Sequence, residues 1–371
     1  MEIQDKIKLD LIREAYENYK VILRLVNTHS EITSKIAIQF HPFLSLNLLD
    51  IISKFNLTKS VDEEYPQSMG KFTKLLQSNR SLLKQDAQVN KYRQIEKEIQ
   101  QLLTKNYSLL TKDYNKYQKF IIKIIGQKDF AVFSYKGIPF MNNIQNARFI
   151  SLFLNNDTLF GGDLVKFSAS TSNFLQILVS EFVNIEEYKD IFNEKVSQEP
   201  IDFDMNDYFV LDKKRSDLFI NNLDVSQNVF FFNLVCLVNS TNYLYPNVFK
   251  LQGPPLHRIT FITYLIMIKS LWIYQKEHPS ISKALQELIE ESDYIFKNDN
   301  NRNKFRNHLF HFDLPKNAKW KGDVVNSLVY YYIDMDSDKL NRLSSKAFNV
   351  FILEANKMLF GEVKYFLGTN G

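Results

Sequence analysis

A single cysteine, Cys236, stands in 371 residues, inside the apolar run from Val229 to Val238. One thiol closes no disulfide within the chain and supplies no multi-cysteine metal site, so its expected role is to fill core space. Histidine is scarce too, six in all. His29, His41, His257 and His278 are isolated or sit beside turns, without the helical pairing and carboxylate of a zinc site, and no metal or other cofactor is expected. No long apolar segment follows the opening Met1-Glu2-Ile3-Gln4-Asp5, so export is not expected. The most apolar stretch, Ile259 to Ile273, is broken by Thr260, Thr263 and Lys269 and is short for a bilayer crossing. A cytoplasmic protein with no membrane partner is the expectation. Gly161-Gly162 lacks the Gly-Lys-Ser/Thr of a phosphate loop and reads as a turn.

What the chain does have is 45% hydrophobic, 14% aromatic and 24% charged residues, the balance of a folded globular protein. Its 46 basic against 42 acidic residues leave a formal charge of +4. That charge is compatible with a nucleic-acid partner without arguing for one. The length fits two compact units or one elaborated domain.

The expected fold class is mainly α. Residues 7 to 27 carry Ile7, Leu11, Ala15, Ile22 and Val26 near a helical repeat. His41-Pro42 suggests a turn into a second helix ending near Phe55, followed by a loop to Gly70. The longest helical signal spans 71–125, with Tyr92, Ile95, Ile99, Leu102, Asn106 and Leu109 in steps of three and four. It reads either as an oligomerisation arm or as a helix packed on its own domain. After Gly126, short apolar runs at Phe130 to Tyr135, Phe149 to Leu154 and Leu164 to Phe167 suggest a small β or irregular insert. Asn173 to Phe192 is helical again, and the acidic Gln198 to Tyr208 is a candidate linker. The expected organisation is therefore an N-terminal, mainly helical region over 1–200, regulatory or oligomerising, and a helical domain over 205–371. In the latter, Asp217 to Tyr245, Leu256 to Glu277, Ile281 to Phe296, a segment from about Asn303, and Ser337 to Phe366 read as helices. Phe230-Phe231-Phe232 and Tyr330-Tyr331-Tyr332 lie in apolar helical runs, which favours core or interface over base stacking.

The remaining two histidines share a dense basic segment, Asn301-Arg302-Asn303-Lys304-Phe305-Arg306-Asn307-His308-Leu309-Phe310-His311-Phe312. Arg306, Asn307 and His311 resemble the signature of the HEPN ribonucleases, an Arg followed by a polar residue with a His closing the motif. At the level of architecture the resemblance covers roughly the last 160 residues, and at the level of motif only six. Arg24 and His29 repeat the spacing in another helical context without the Asn. The resemblance implies a HEPN-like helical bundle, a metal-independent endoribonuclease working as a homodimer through its C-terminal domain, and a toxin–antitoxin, abortive-infection or antiphage setting with an antitoxin or trigger protein as a further partner.

The chemistry can be argued from the residues. RNA carries its own nucleophile in the 2′-hydroxyl, so cleavage needs a group that moves protons and a cation for the charged phosphorane. His311 would be the general acid or base and Arg306 the phosphate and transition-state ligand. Asn307, four residues before His311, could orient the imidazole or touch phosphate. His308 is a second proton carrier or a capping residue. Arg302 and Lys304 would extend a positive surface along the RNA, or simply solvate the helix start. Glu290, Glu291 and Asp293 could pair with Arg302 or Arg306, or cap the preceding helix. On an ideal helix Arg306 and His311 sit about 140° apart, which is why a dimer is expected to bring the groups together. The competing readings are a non-catalytic helical module for dimerisation or for binding RNA or nucleotide, and a scaffold in which Arg306 and His311 satisfy local acidic groups.

Overall fold

The computed structural model describes residues 2–27, 33–57, 69–88, 91–154, 171–178, 203–212 and 214–361. It is mainly helical with one small sheet. The N-terminal helices are α1 (Ile3–Asn27), α2 (Thr33–Lys54), α3 (Met69–Gln88), α4 (Tyr92–Leu110), α5 (Lys116–Ile125), α6 (Asn143–Leu154) and the run α7 over 171–178. The C-terminal ones are α8 (Val225–Asn239), α9 (Gly253–Glu277), α10 (Lys283–Phe296), α11 (Asp299–His311), α12 (Val324–Ile333) and α13 (Ser337–Phe360), with a π-helical segment, Ser240–Val248, continuing α8.

Pro42 lies inside α2 rather than at a turn before it. An internal proline removes a helical hydrogen bond, but positions 40–51 are buried on every side of this helix, and that burial outweighs the defect. The 71–125 signal resolves into parts of three helices. The chain breaks at Thr111–Asp113, and Asn115 starts α5 with a capping box in which its side chain accepts from the Gln118 amide and the Gln118 side chain accepts from its own. Tyr92, Ile95, Ile99, Leu102 and Leu103 of α4 are buried inside the molecule, with Tyr92 set edge-on to Phe230 of α8. Of the two readings of this stripe, packing within the chain is the one observed.

The sheet is antiparallel in the order β2-β1-β3, built from Phe130–Tyr135 (β1), Ile138–Asn142 (β2) and Asp204–Tyr208 (β3). Lys136 and Gly137, at φ 50 and 77, make the two-residue hairpin that matches strand twist. Pro139 is tolerated because β2 is an edge strand, at the register shift opposite Ser134. Two expectations change here. Phe149 to Leu154 belongs to helix α6, not a strand. The acidic segment read as a linker contains β3, since Asp204 to Tyr208 pair with β1 from Phe130 to Ser134. Gly161-Gly162, Leu164 to Phe167 and most of Asn173 to Phe192 lie outside the described residues.

Side chains from both sides of the expected boundary near residue 200 join one buried core. Phe230, Phe231 and Phe232 are at most 4% exposed within it, as the sequence suggested. Among the described residues two helices, Lys35–Lys54 and Gly253–Glu277, are long and apolar enough to cross a membrane, but 78% of the most apolar 18-residue stretch of each is buried inside the fold. They are core helices.

Candidate active site

Helix α11 carries the Arg-Asn-x-x-x-His segment. Asn298 caps its start by accepting from the Asn301 amide at 2.9 Å. Phe305, Leu309 and Phe310 turn inward. The opposite stripe, Lys304, Asn307 and His311, is exposed, and His311 is the last residue of the helix.

The helix ends abruptly because Phe312 takes a left-handed conformation, φ 40 and ψ 55. That costs an L-residue about 1–2 kcal/mol, so something must hold it. The Phe312 ring is 2% exposed and lies 4.5 Å from the guanidinium of Arg258 on α9. Arg258 is itself 1% exposed. Its Nε donates to the Leu309 carbonyl at 2.8 Å, its Nη1 to both Glu14 carboxylate oxygens at 2.9 Å, and its Nη2 to Asp50 at 2.7 Å. Burial pushes the Glu14 carboxyl up, with Arg258 opposing, and pushes Asp50 up to about 6. One buried cation thus ties α1 and α2 to the last turn of the motif helix.

Arg306 is half-buried, and its one hydrogen bond among the described residues runs from Nη2 to Asn307 Oδ1 at 3.3 Å. Among the described residues no carboxylate pairs with it, and burial lowers its pKa. Arg302 stands differently. It is 7% exposed and ion-paired to Asp293 at 2.7 Å and to Asp299, so its charge is neutralised within the fold. This settles one suggested pairing, Arg302 with Asp293, and takes Arg302 out of any open cationic track, while Lys304 is exposed. His308 is half-buried, with Nδ1 3.2 Å from the Asp313 carbonyl and its ring beside Tyr332 at 5.9 Å. It braces the turn after the helix. Arg24 of the second spacing match bonds the Phe249 carbonyl, and its His29 lies outside the described residues.

The motif reading missed Lys269, Trp272 and Lys276 on α9. Lys269 and Lys276 lie 4.0 and 3.4 Å from the centroid of the Trp272 ring, a doubled cation–π arrangement. Burial lowers the Lys269 pKa, Asp299 opposes this, and Arg302, Lys276 and Arg306 reinforce it. Lys269, Lys276 and Arg306 thus bear on one another between α9 and α11, with Asp299 opposing them. Spacing of i, i+3 and i+7 puts Lys269, Trp272 and Lys276 on one face, a signal available in the sequence. Phe312 also borders a cleft of about 390 Å³ where Asp10, Glu14, Glu17 and Asp323 outnumber Arg13, a lining that disfavours phosphate. A largely apolar cavity of about 130 Å³ between α2, α4 and α8, lined by Phe43, Ile99 and Leu234 among others, contains no residue of the motif.

His41 is 4% exposed, and burial lowers its pKa to about 4. His257 faces Asp338 at 3.5 Å, and His278 stacks on Tyr274 at 4.4 Å. Cys236 is buried and free, and burial pushes its thiol up. Compared with known proteins, the chain matches no family model, no curated protein and no solved structure.

Proposed function

We propose that the protein is a metal-independent endoribonuclease whose chemistry is carried by α11. The observation that supports this most is the exposed stripe of Lys304, Asn307 and His311 beside the half-buried Arg306, a guanidinium with no carboxylate partner among the described residues. An imidazole open to solvent and an uncompensated cation are what phosphodiester transfer at the 2′-hydroxyl requires. In the proposed reaction the 2′-oxygen attacks phosphorus and gives its proton to a base. The bond to the 5′-oxygen breaks, and that oxygen takes a proton from an acid. His311 serves in the proton transfers, Arg306 bears the phosphorane charge, and Asn307 holds the guanidinium or the phosphate. His308 is the second proton carrier only if it leaves the Asp313 carbonyl. Lys304, with Lys269 and Lys276 behind Arg306, draws the RNA backbone in.

Arg306 and His311 face arcs about 140° apart, so the site is proposed to be completed by a second copy, α11 against α11. The toxin, abortive-infection or antiphage setting and its antitoxin or trigger are carried by the resemblance alone, and the cytoplasmic location by the expectation drawn from the sequence.

A test is the chemistry of the product ends. Cleavage must leave a 2′,3′-cyclic phosphate and a 5′-hydroxyl, and a 2′-deoxy substitution at the scissile nucleotide must block it; products with 5′-phosphates would reject the mechanism. The same divergence of Arg306 and His311 favours a second reading, a non-catalytic helical module for dimerisation or for RNA or nucleotide binding. Tight RNA binding without cleavage would select it.

A further inference from the structure

Helix α5, Lys116–Ile125, is well formed but buries none of its side chains. Its start is closed by the Asn115–Gln118 capping box. Its end is fixed by Gly126 at φ 82, where an added Cβ would meet the Phe209 ring at 3.0 Å and the Arg215 side chain at 3.2 Å. Arg215 also donates to the Ile124 carbonyl. The backbone is thus held in place while the side chains are left open: Tyr117, Phe120, Ile124 and Ile125 are 71, 61, 56 and 61% exposed. Large aliphatic and aromatic side chains on a rigid surface helix call for an apolar partner.

The charges say which partner. At about 100° per residue, Lys116, Lys119 and Lys123 fall within an arc of about 60°, while Phe120, Ile124, Tyr117 and Ile125 fill a separate arc of about 140°. All three lysines are exposed, and the helix carries no acidic residue. A second copy of the helix would bring like charges to the rim of a short contact, and ten residues offer far less than the roughly 1,200 Å² a stable interface needs. An anionic sheet of headgroups over hydrocarbon satisfies both faces at once, the apolar residues entering the acyl boundary and the lysines lying among the phosphates.

We infer that α5 docks the protein on an anionic membrane surface, its Tyr117-Phe120-Ile124-Ile125 face inserted and its three lysines against acidic headgroups. This does not depend on the ribonuclease reading, and it departs from the expectation of no membrane partner, which rested on the lack of an export segment and of a spanning one.

The test is co-sedimentation of the full chain with phosphatidylcholine vesicles, with or without about a third phosphatidylserine, at about 0.15 M salt. Wild type is expected to bind the acidic vesicles and not the neutral ones. Phe120→Ser with Ile124→Ser should abolish binding, and Lys116→Glu with Lys119→Glu and Lys123→Glu should lower it by roughly a hundredfold or more. Both variants change exposed residues, so unaltered circular dichroism and melting are the control for folding. Failure of wild type to bind acidic vesicles overturns the inference. So does binding that survives the double serine change, which would be charge adsorption alone. Self-association of wild type that the serine changes abolish, without vesicle binding, would assign the face to a second copy instead.

Discussion

Arg306 and Arg302 are one helical turn apart and have opposite fates. Arg302 is spent on Asp293 and Asp299, whereas Arg306 keeps only Asn307 among the described residues. Changing Arg302 to Gln should therefore cost stability without lowering RNA affinity, while Arg306→Gln should lower cleavage and leave the urea midpoint nearly unchanged; filter binding and unfolding curves separate the two. A second prediction concerns Asp10, which accepts from the Val324 amide at 3.0 Å and whose pKa burial raises from 3.8 to about 6. Because the folded value lies above the unfolded one, the folded state holds this proton where the unfolded chain has lost it. The group's contribution is full below the unfolded pKa and is lost as pH rises through about 6. His41, depressed to about 4, acts in the opposite sense, so the comparison must be with a variant. From about pH 7.5 to 5, wild type should gain about 1 kcal/mol relative to Asp10→Asn. At this scale the sequence shows which residue types could cut RNA, because a clustered Arg, Asn and His stand out when histidine is scarce. It does not show Arg258, since its partners Glu14 and Asp50 lie more than two hundred residues away. The only local hint is a charged residue in the most apolar helix, which must find buried partners.

The helices are legible where caps and apolar periods agree. α10 and α11 start at Ser282 and Asn298, whose side chains accept from backbone amides, and α9 opens on Pro254-Pro255. The failures are equally physical. The 71–125 signal spans parts of three helices because the apolar period does not register the break at Thr111–Asp113, which the Asn115–Gln118 box marks, and Pro42 sits mid-helix because tertiary burial overrides propensity. β3 is an exposed acidic strand with four of its five residues open to solvent, so the alternation of Ile201, Phe203 and Met205 with acidic and polar residues reads as a linker as readily as a strand. Lys297 ends α10 at φ 63 and is exposed, a position that suits glycine. Lys297→Gly should raise stability by about 0.5–1 kcal/mol, readable as a higher urea midpoint at constant slope.

Across the whole molecule, the Glu14–Arg258–Asp50 cluster is the tie between the N-terminal helices and the end of the motif helix. Arg258→Met would leave two buried carboxylates facing each other and release the Leu309 carbonyl and the Phe312 ring. The expected loss is about 3–5 kcal/mol in urea unfolding. Replacing all three groups together, with Met, Gln and Asn at 258, 14 and 50, should cost less, because no charge is then left buried alone. If the cluster also sets the position of His311, that triple variant should fold yet cleave RNA more slowly.

The central claim, that His311 and Arg306 cut RNA without a metal, meets its most direct test in the cleavage of a mixed cellular RNA pool in EDTA by wild type and by His311→Ala of matched folding. The account predicts cleavage by wild type and a fall of roughly a hundredfold or more in the variant. Equal cleavage by both, or cleavage that appears only when a divalent ion is added, would contradict it.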